Sequence, residues 1–171
     1  IEGMAISMPG IINPEIGYAF TGGALRYIDK MNIVDILKER CPINITIGND
    51  AKCAANAEIG YGNLQDIQDG AVVILGTGIG GCLIKDHKVH TGRHFSAGEF
   101  SFVKTNCLDG ISWDYAWSTR NGIKGLLERV QESLGTNQEY TGIEIFDMAN
   151  EGNEKVIEGI SQFCKEVATQ I

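Results

Sequence analysis

The sequence predicts an α/β protein, and three observations carry that expectation. Ile43-Asn44-Ile45-Thr46-Ile47 alternates like a strand and runs through Gly48-Asn49-Asp50 into a helix of small residues, Ala51 to Ile59. Two apolar runs, Ala71 to Leu75 and Cys82 to Ile84, flank a loop with four glycines between residues 76 and 81. The last third carries helical spacing, at Ile123, Leu126, Leu127, Val130 and Leu134, and again at Val156, Ile160, Phe163, Cys164, Val167 and Ile171.

The chain has 171 residues, enough for a real core. Both ends look cut: Ile1 opens directly onto a strand-like run, and the last apolar stripe persists to Ile171, so an internal piece of a longer protein is expected. Fourteen basic against twenty-two acidic residues give a net charge of −8, which disfavours a general binder of nucleic acid or of anionic membrane. No apolar run approaches membrane-spanning length. Cys41, Cys53, Cys82, Cys107 and Cys164 are odd in number, scattered and without a CxxC pair. They fit free thiols in a cytoplasmic protein better than a disulfide framework or a zinc site.

In chain order, Met4 to Ser7 reads as a short buried strand ended by Pro9-Gly10. Residues Ile11 to Phe20 are mixed loop and irregular strand. Asn32 is a good N-cap for a helix from Ile33 to Arg40, and Pro42 follows its end. After the strand at 43–47, Gly60 and Gly62 are expected to end the small-residue helix. Residues 63–69 form a polar connection, where the domain boundary is placed. The first α/β domain then contributes residues 1–69 and the second contributes residues 70–171. Asp86-His87 is a turn, Lys88-Val89-His90 a strand, and residues 97–103 alternate like a further strand. Trp113 to Thr119 reads as a short helix, and Gly135 stops the helix that begins near Ile123.

The glycine loop satisfies GxGxxG at Gly76, Gly78 and Gly81, but a dinucleotide fold needs a helix after the third glycine. Here a strand follows, so that reading fails. Glycines let a ligand approach the backbone, and exposed N–H groups with the Thr77 hydroxyl suit a phosphate. A glycine-rich hairpin with no ligand is the alternative. Asp50, at the passage from strand to helix, is either a functional carboxylate or an N-cap, and Asn49 either functional or a turn residue. Glu99 follows Ala97-Gly98, which leaves its carboxylate room for a ligand, or it is a surface residue. His87, His90 and His94 have no carboxylate or thiol in a ligand pattern with them, so no metal site is expected. Trp113, Tyr115 and Trp117 read as core or rim of a helical subdomain.

Four ordered motifs resemble the repressor–ORF–kinase (ROK) family of sugar kinases and sugar-responsive repressors. They are Ala5-Ile6-Ser7-Met8-Pro9-Gly10, Gly48-Asn49-Asp50-Ala51, Leu75-Gly76-Thr77-Gly78-Ile79-Gly80-Gly81, and Gly98-Glu99. The resemblance implies an actin/hexokinase-like (ribonuclease H-like) ATPase fold, here partial, whose two α/β domains close over ATP and a sugar. It implies Asp50 as general base and Asn49, Asp50 and Glu99 as sugar-binding residues. Gly76, Thr77, Gly78, Gly80 and Gly81 would bind phosphate, opposite Asp50 across one cleft, with 63–69 as a hinge. ATP and Mg²⁺ are the expected cofactors, and a homodimer the expected assembly.

Several departures matter. The family's N-terminal DxGGT-type phosphate loop is not in this chain, nor is the last part of the second domain, so the segment by itself is expected to be inactive. Phe102 stands where many members have a sugar-binding, zinc-linked His, and Cys107 alone replaces the cysteine cluster. Zinc is therefore not expected. Gly98-Glu99-Phe100-Ser101-Phe102 is similar to zinc-less members of the β-glucoside kinase kind, which points to a hexose or β-glucoside as substrate. A repressor of the same family, with its DNA-binding domain outside this chain, is the alternative. An intact Asp50 and glycine loop favour the kinase, because a repressor needs no base.

Overall fold

The computed structural model describes residues 1–106 and 112–171. The expectation for Cys107 lies outside the described residues. Two compact units emerge, one of Ile1–Val72 with Gly81–Glu99 and one of Val73–Gly80 with Phe100–Ile171. The chain thus crosses between them at 72/73, 80/81 and 99/100. Residues 81–99 pack with the first unit.

In the first unit, β1 (Gly3–Met8) pairs in parallel with β5 (Asn44–Asn49), with Met4 opposite Ile45 and Met8 opposite Asn49. Between them lie β2 (Ile12–Asn13), β3 (Tyr18–Ala19) and β4 (Met31–Asn32), a small antiparallel sheet. They are followed by α1 (Ile33–Lys38). Asn32 caps that helix by accepting a hydrogen bond from the Asp35 N–H, and Lys38 in the last turn suits the helix dipole. Strand β5 alternates as its sequence requires: Ile45 and Ile47 are buried with Met8, Ile12, Ala19 and Val34, while Asn44 and Thr46 face outward.

Strand β5 leads directly into α2 (Asp50–Tyr61). Gly60 lies inside that helix, and Gly62 alone serves as its cap. The small residues let Ala55 pack against Cys82 and Ile84 of β7 (Ile79–Lys85). Strand β7 stands between β6 (Gly70–Leu75) and β8 (Lys88–His90). The β7–β8 turn holds Asp86 at φ +51° and His87 at φ +60°, the left-handed pair of a two-residue hairpin. The His87 ring bonds the Ile67 carbonyl at 3.0 Å, and the backbone N–H of His87 donates to the Gln68 carbonyl. His87 is thereby a hairpin anchor.

The strand expected at 97–103 is not formed. Gly98 sits at φ +74°, where a Cβ would lie 2.5 Å from the Cys82 Cα, so the chain turns there instead of extending. A 3-10 turn at Phe100–Phe102 follows, and Lys104 makes an isolated bridge to Ala116. The helix expected at 113–119 is likewise split. A 3-10 turn covers Trp113–Tyr115, Ala116 is extended, and α3 spans Trp117–Asn121.

The second unit is built mainly from α4 (Ile123–Leu134), α5 (Gly142–Asn150) and α6 (Glu154–Ala168). Gly135 ends α4 as expected. Their apolar faces bury Leu126, Val130, Ile145, Val156, Phe163 and Val167 with Ile79 and Trp117. Trp117 is core, whereas Trp113 is half exposed against Phe102. Helices α4 and α6 are also pinned by Arg129, whose Nε donates to Glu166 Oε1 at 2.8 Å. Asn121 and Gln162 donate to the same carboxylate. Burial raises the Glu166 pKa, but these donors together with the Arg129 charge outweigh it and hold the carboxyl below its ordinary value. The bond to Glu166 in turn raises the Arg129 guanidinium, against the opposing effect of burial.

Candidate active site

The passage from β5 to α2 places two polar side chains side by side with different tasks. Asn49 is 5% exposed and is the N-cap: its side-chain oxygen accepts from the Lys52 N–H at 3.0 Å. Its amide nitrogen donates to the Gly10 carbonyl at 3.0 Å, tying the Pro9-Gly10 turn to the start of α2. An amide has two lone pairs and two N–H bonds, so Asn49 keeps one acceptor and one donor position beyond these anchors.

Asp50 therefore does not cap the helix. It is the first helical residue and is exposed, and one carboxylate oxygen accepts from the Ala51 N–H at 2.9 Å. The other oxygen has no hydrogen-bond partner among the described residues. A carboxylate at this point complements the positive end of the helix dipole.

Glu99 sits at the end of the segment that Gly98 turns, with its N–H donated to the Ser96 carbonyl at 3.2 Å. Its Oε1 meets Lys52 Nζ at 2.6 Å, and the two side chains are 15% and 8% exposed. Lys52 is a neighbour of these candidate residues that sequence reasoning passed over. The available signal was a lysine in the first turn of a helix otherwise made of small residues, where a cation opposes the dipole. Cys82 lies within reach of the same charges. Burial raises its thiol pKa, Lys52 works against that, and Glu99 adds to it.

A cleft of about 540 Å³ opens in this unit, lined by Ile6, Ile47, Asn49, Lys52 and Cys53 among others; Asp50 and Glu99 are not part of its lining.

In the second unit the glycine loop is narrower than the motif. Residues 76–78 make the turn, while Gly80 and Gly81 belong to β7. None of these glycines has a left-handed φ. What the turn requires is space, because a Cβ on Gly78 would lie 2.1 Å from Ser118 Oγ. Ser118 accepts the Ile79 N–H at 3.2 Å, Gly76 N–H donates to the Gly78 carbonyl, and the Gly76 carbonyl accepts the Ile123 N–H. The exposed Thr77 keeps its hydroxyl without a partner among the described residues. Among the described residues, no three His, Cys, Asp or Glu side chains come together as a metal site.

Comparison with known proteins gives this arrangement its family. The ROK family model matches residues 1–171. The chain belongs to the ROK family. A β-glucoside kinase of Klebsiella pneumoniae is 32% identical over 154 residues, covering 89% of this chain and 52% of that protein. The Lmo2764 protein of Listeria monocytogenes superposes with a TM-score of 0.85 at 30% identity, over 99% of this chain and 59% of that one. A ROK family transcriptional regulator, a homolog of the E. coli MLC protein, superposes with a TM-score of 0.81 at 19% identity, covering 97% and 44%. That last likeness is one of fold alone. The fold of these ROK relatives is the actin/hexokinase-like one, and the chain spans about half the length of the proteins it matches. No helix among the described residues is long and apolar enough to cross a membrane.

Proposed function

We propose that the full-length protein is an ATP-dependent sugar kinase that transfers the γ-phosphoryl group to a hydroxyl of a hexose or β-glucoside. The observation that carries this reading is Asp50: the capping task belongs to Asn49, which leaves an exposed carboxylate with an oxygen to spare. A repressor has no use for such a base.

In this reading Asp50 takes the proton of the attacking sugar hydroxyl as its oxygen bonds to phosphorus, and the phosphorus–oxygen bond to ADP breaks. Asn49 and Glu99 orient the sugar through its other hydroxyls. Residues 76–81 supply phosphate contacts, and the open Thr77 hydroxyl fits a phosphate oxygen. Mg²⁺ would arrive on the nucleotide phosphates and neutralise charge there, consistent with its usual reliance on substrate oxygens and water. The relative named a β-glucoside kinase supports the substrate class. A cytoplasmic homodimer without zinc, with residues 1–69 and 70–171 as parts of two domains, completes the proposal.

The test is ADP release by the full-length protein with glucose, cellobiose, an aryl β-glucoside and N-acetylmannosamine. Asp50→Asn should lower turnover by about 10² to 10⁴ while sugar binding survives. Unchanged turnover would remove Asp50 from the mechanism. Sugar binding without any turnover in the unsubstituted protein would replace the kinase with a sugar-responsive repressor.

A further inference from the structure

We propose that Lys52 is a positioning residue for the sugar: it fixes the Glu99 carboxylate so that one oxygen points to a ligand hydroxyl. The inference rests on the sugar-kinase reading and deepens it.

Three observations, with the chemistry of a carboxylate, carry it. Lys52 is buried, and the hydrogen bond of its ammonium is to Glu99 Oε1, at 2.6 Å. Glu99 Oε2 has no partner among the described residues, so the pair uses one carboxylate oxygen and leaves the other as an acceptor. An ionised carboxylate only accepts, so a ligand hydroxyl is a fitting donor to that oxygen. Finally, Lys52 stands three residues after Asn49 and two after Asp50 on the first turn of α2. One helical turn therefore carries an amide, a carboxylate and the cation that orients a second carboxylate 47 positions further along the chain.

A buried cation in the first turn of a helix opposes the dipole and is costly to desolvate. An apolar residue would stabilise that turn more simply. The arrangement makes sense where the orientation of Glu99 matters more than stability.

The experiment measures sugar and ATP-analogue binding calorimetrically, with melting temperatures, on the full-length protein and on Lys52→Met, Glu99→Gln and the double variant. Lys52→Met should weaken sugar binding about 10- to 100-fold and leave ATP-analogue binding within about twofold. The double variant should bind sugar about as poorly as Glu99→Gln alone, because Lys52 acts through Glu99. Lys52→Arg, which keeps the charge in a different shape, should recover part of the loss. If Lys52→Met does not fold, Lys52→Gln takes its place with the same expectation. Sugar affinity that is unchanged on substitution, or losses that add in the double variant, would overturn the proposal and leave Lys52 a structural cation. An unsubstituted protein that binds none of the sugars would instead bring down the sugar-site reading, and this role with it.

Discussion

Two ion pairs, one in each unit, each set a buried cation against a partly buried carboxylate and differ in how completely they are satisfied. Arg129–Glu166 joins two helices, and its carboxylate also accepts from Asn121 and Gln162. Arg129 additionally reaches Glu132. Lys52–Glu99 has one short bond and a carboxylate oxygen with no partner among the described residues. A saturated network holds helices together, whereas a partly open one has capacity for a ligand. Saturation, more than burial, separates the structural pair from the candidate functional one.

The comparison can be broken most directly by exchanging the readouts. Arg129→Met should lower stability by about 2 kcal/mol, since it removes the cation from a partly buried carboxylate that keeps its Asn121 and Gln162 donors, while sugar affinity stays unchanged. Chemical denaturation and calorimetry on the same sample check both halves. A comparable loss of sugar affinity would mean that the two pairs do not divide as described.

Acid sharpens it. The Glu166 pKa is lowered in the folded state, so its contribution is present above the ordinary carboxylate value of 4.5. That contribution is lost as pH falls through the depressed folded value. Denaturation midpoints between about pH 5 and pH 2 should therefore fall more steeply in the parent than in Arg129→Met. Parallel curves would show that the network adds no acid sensitivity.

The smallest effect expected is at a helix end that belongs to neither pair. Asn153 accepts the Val156 N–H at the start of α6, and Asn153→Ala should cost about 1 kcal/mol with no change in sugar binding. A thermal melt suffices to measure it.

Much of this was legible in the sequence where local chemistry decides the outcome. The alternation at Ile45 and Ile47, the Asn32 cap and the amphipathic face of α4 each depend on residues a few positions apart. Residues 97–103 misled because the alternation of Phe100 and Phe102 mimics a strand, while Gly98 closes over Cys82, distant in sequence. Asp50 could be named but not relieved of capping until Asn49 was seen to bond the Lys52 N–H. Lys52 itself escaped notice because its meaning depends on Glu99, and nothing in the local pattern links the two.

The three crossings of the chain between its units have a practical consequence. Neither unit can be released by a single proteolytic nick or borrowed as a cassette through one splice point. An engineer who wishes to graft the Asn49–Lys52–Glu99 cluster onto another scaffold must transplant residues 1–72 and 81–99 together. Evolution meets the same constraint, so that cluster is more readily altered by point changes than by trading whole pieces.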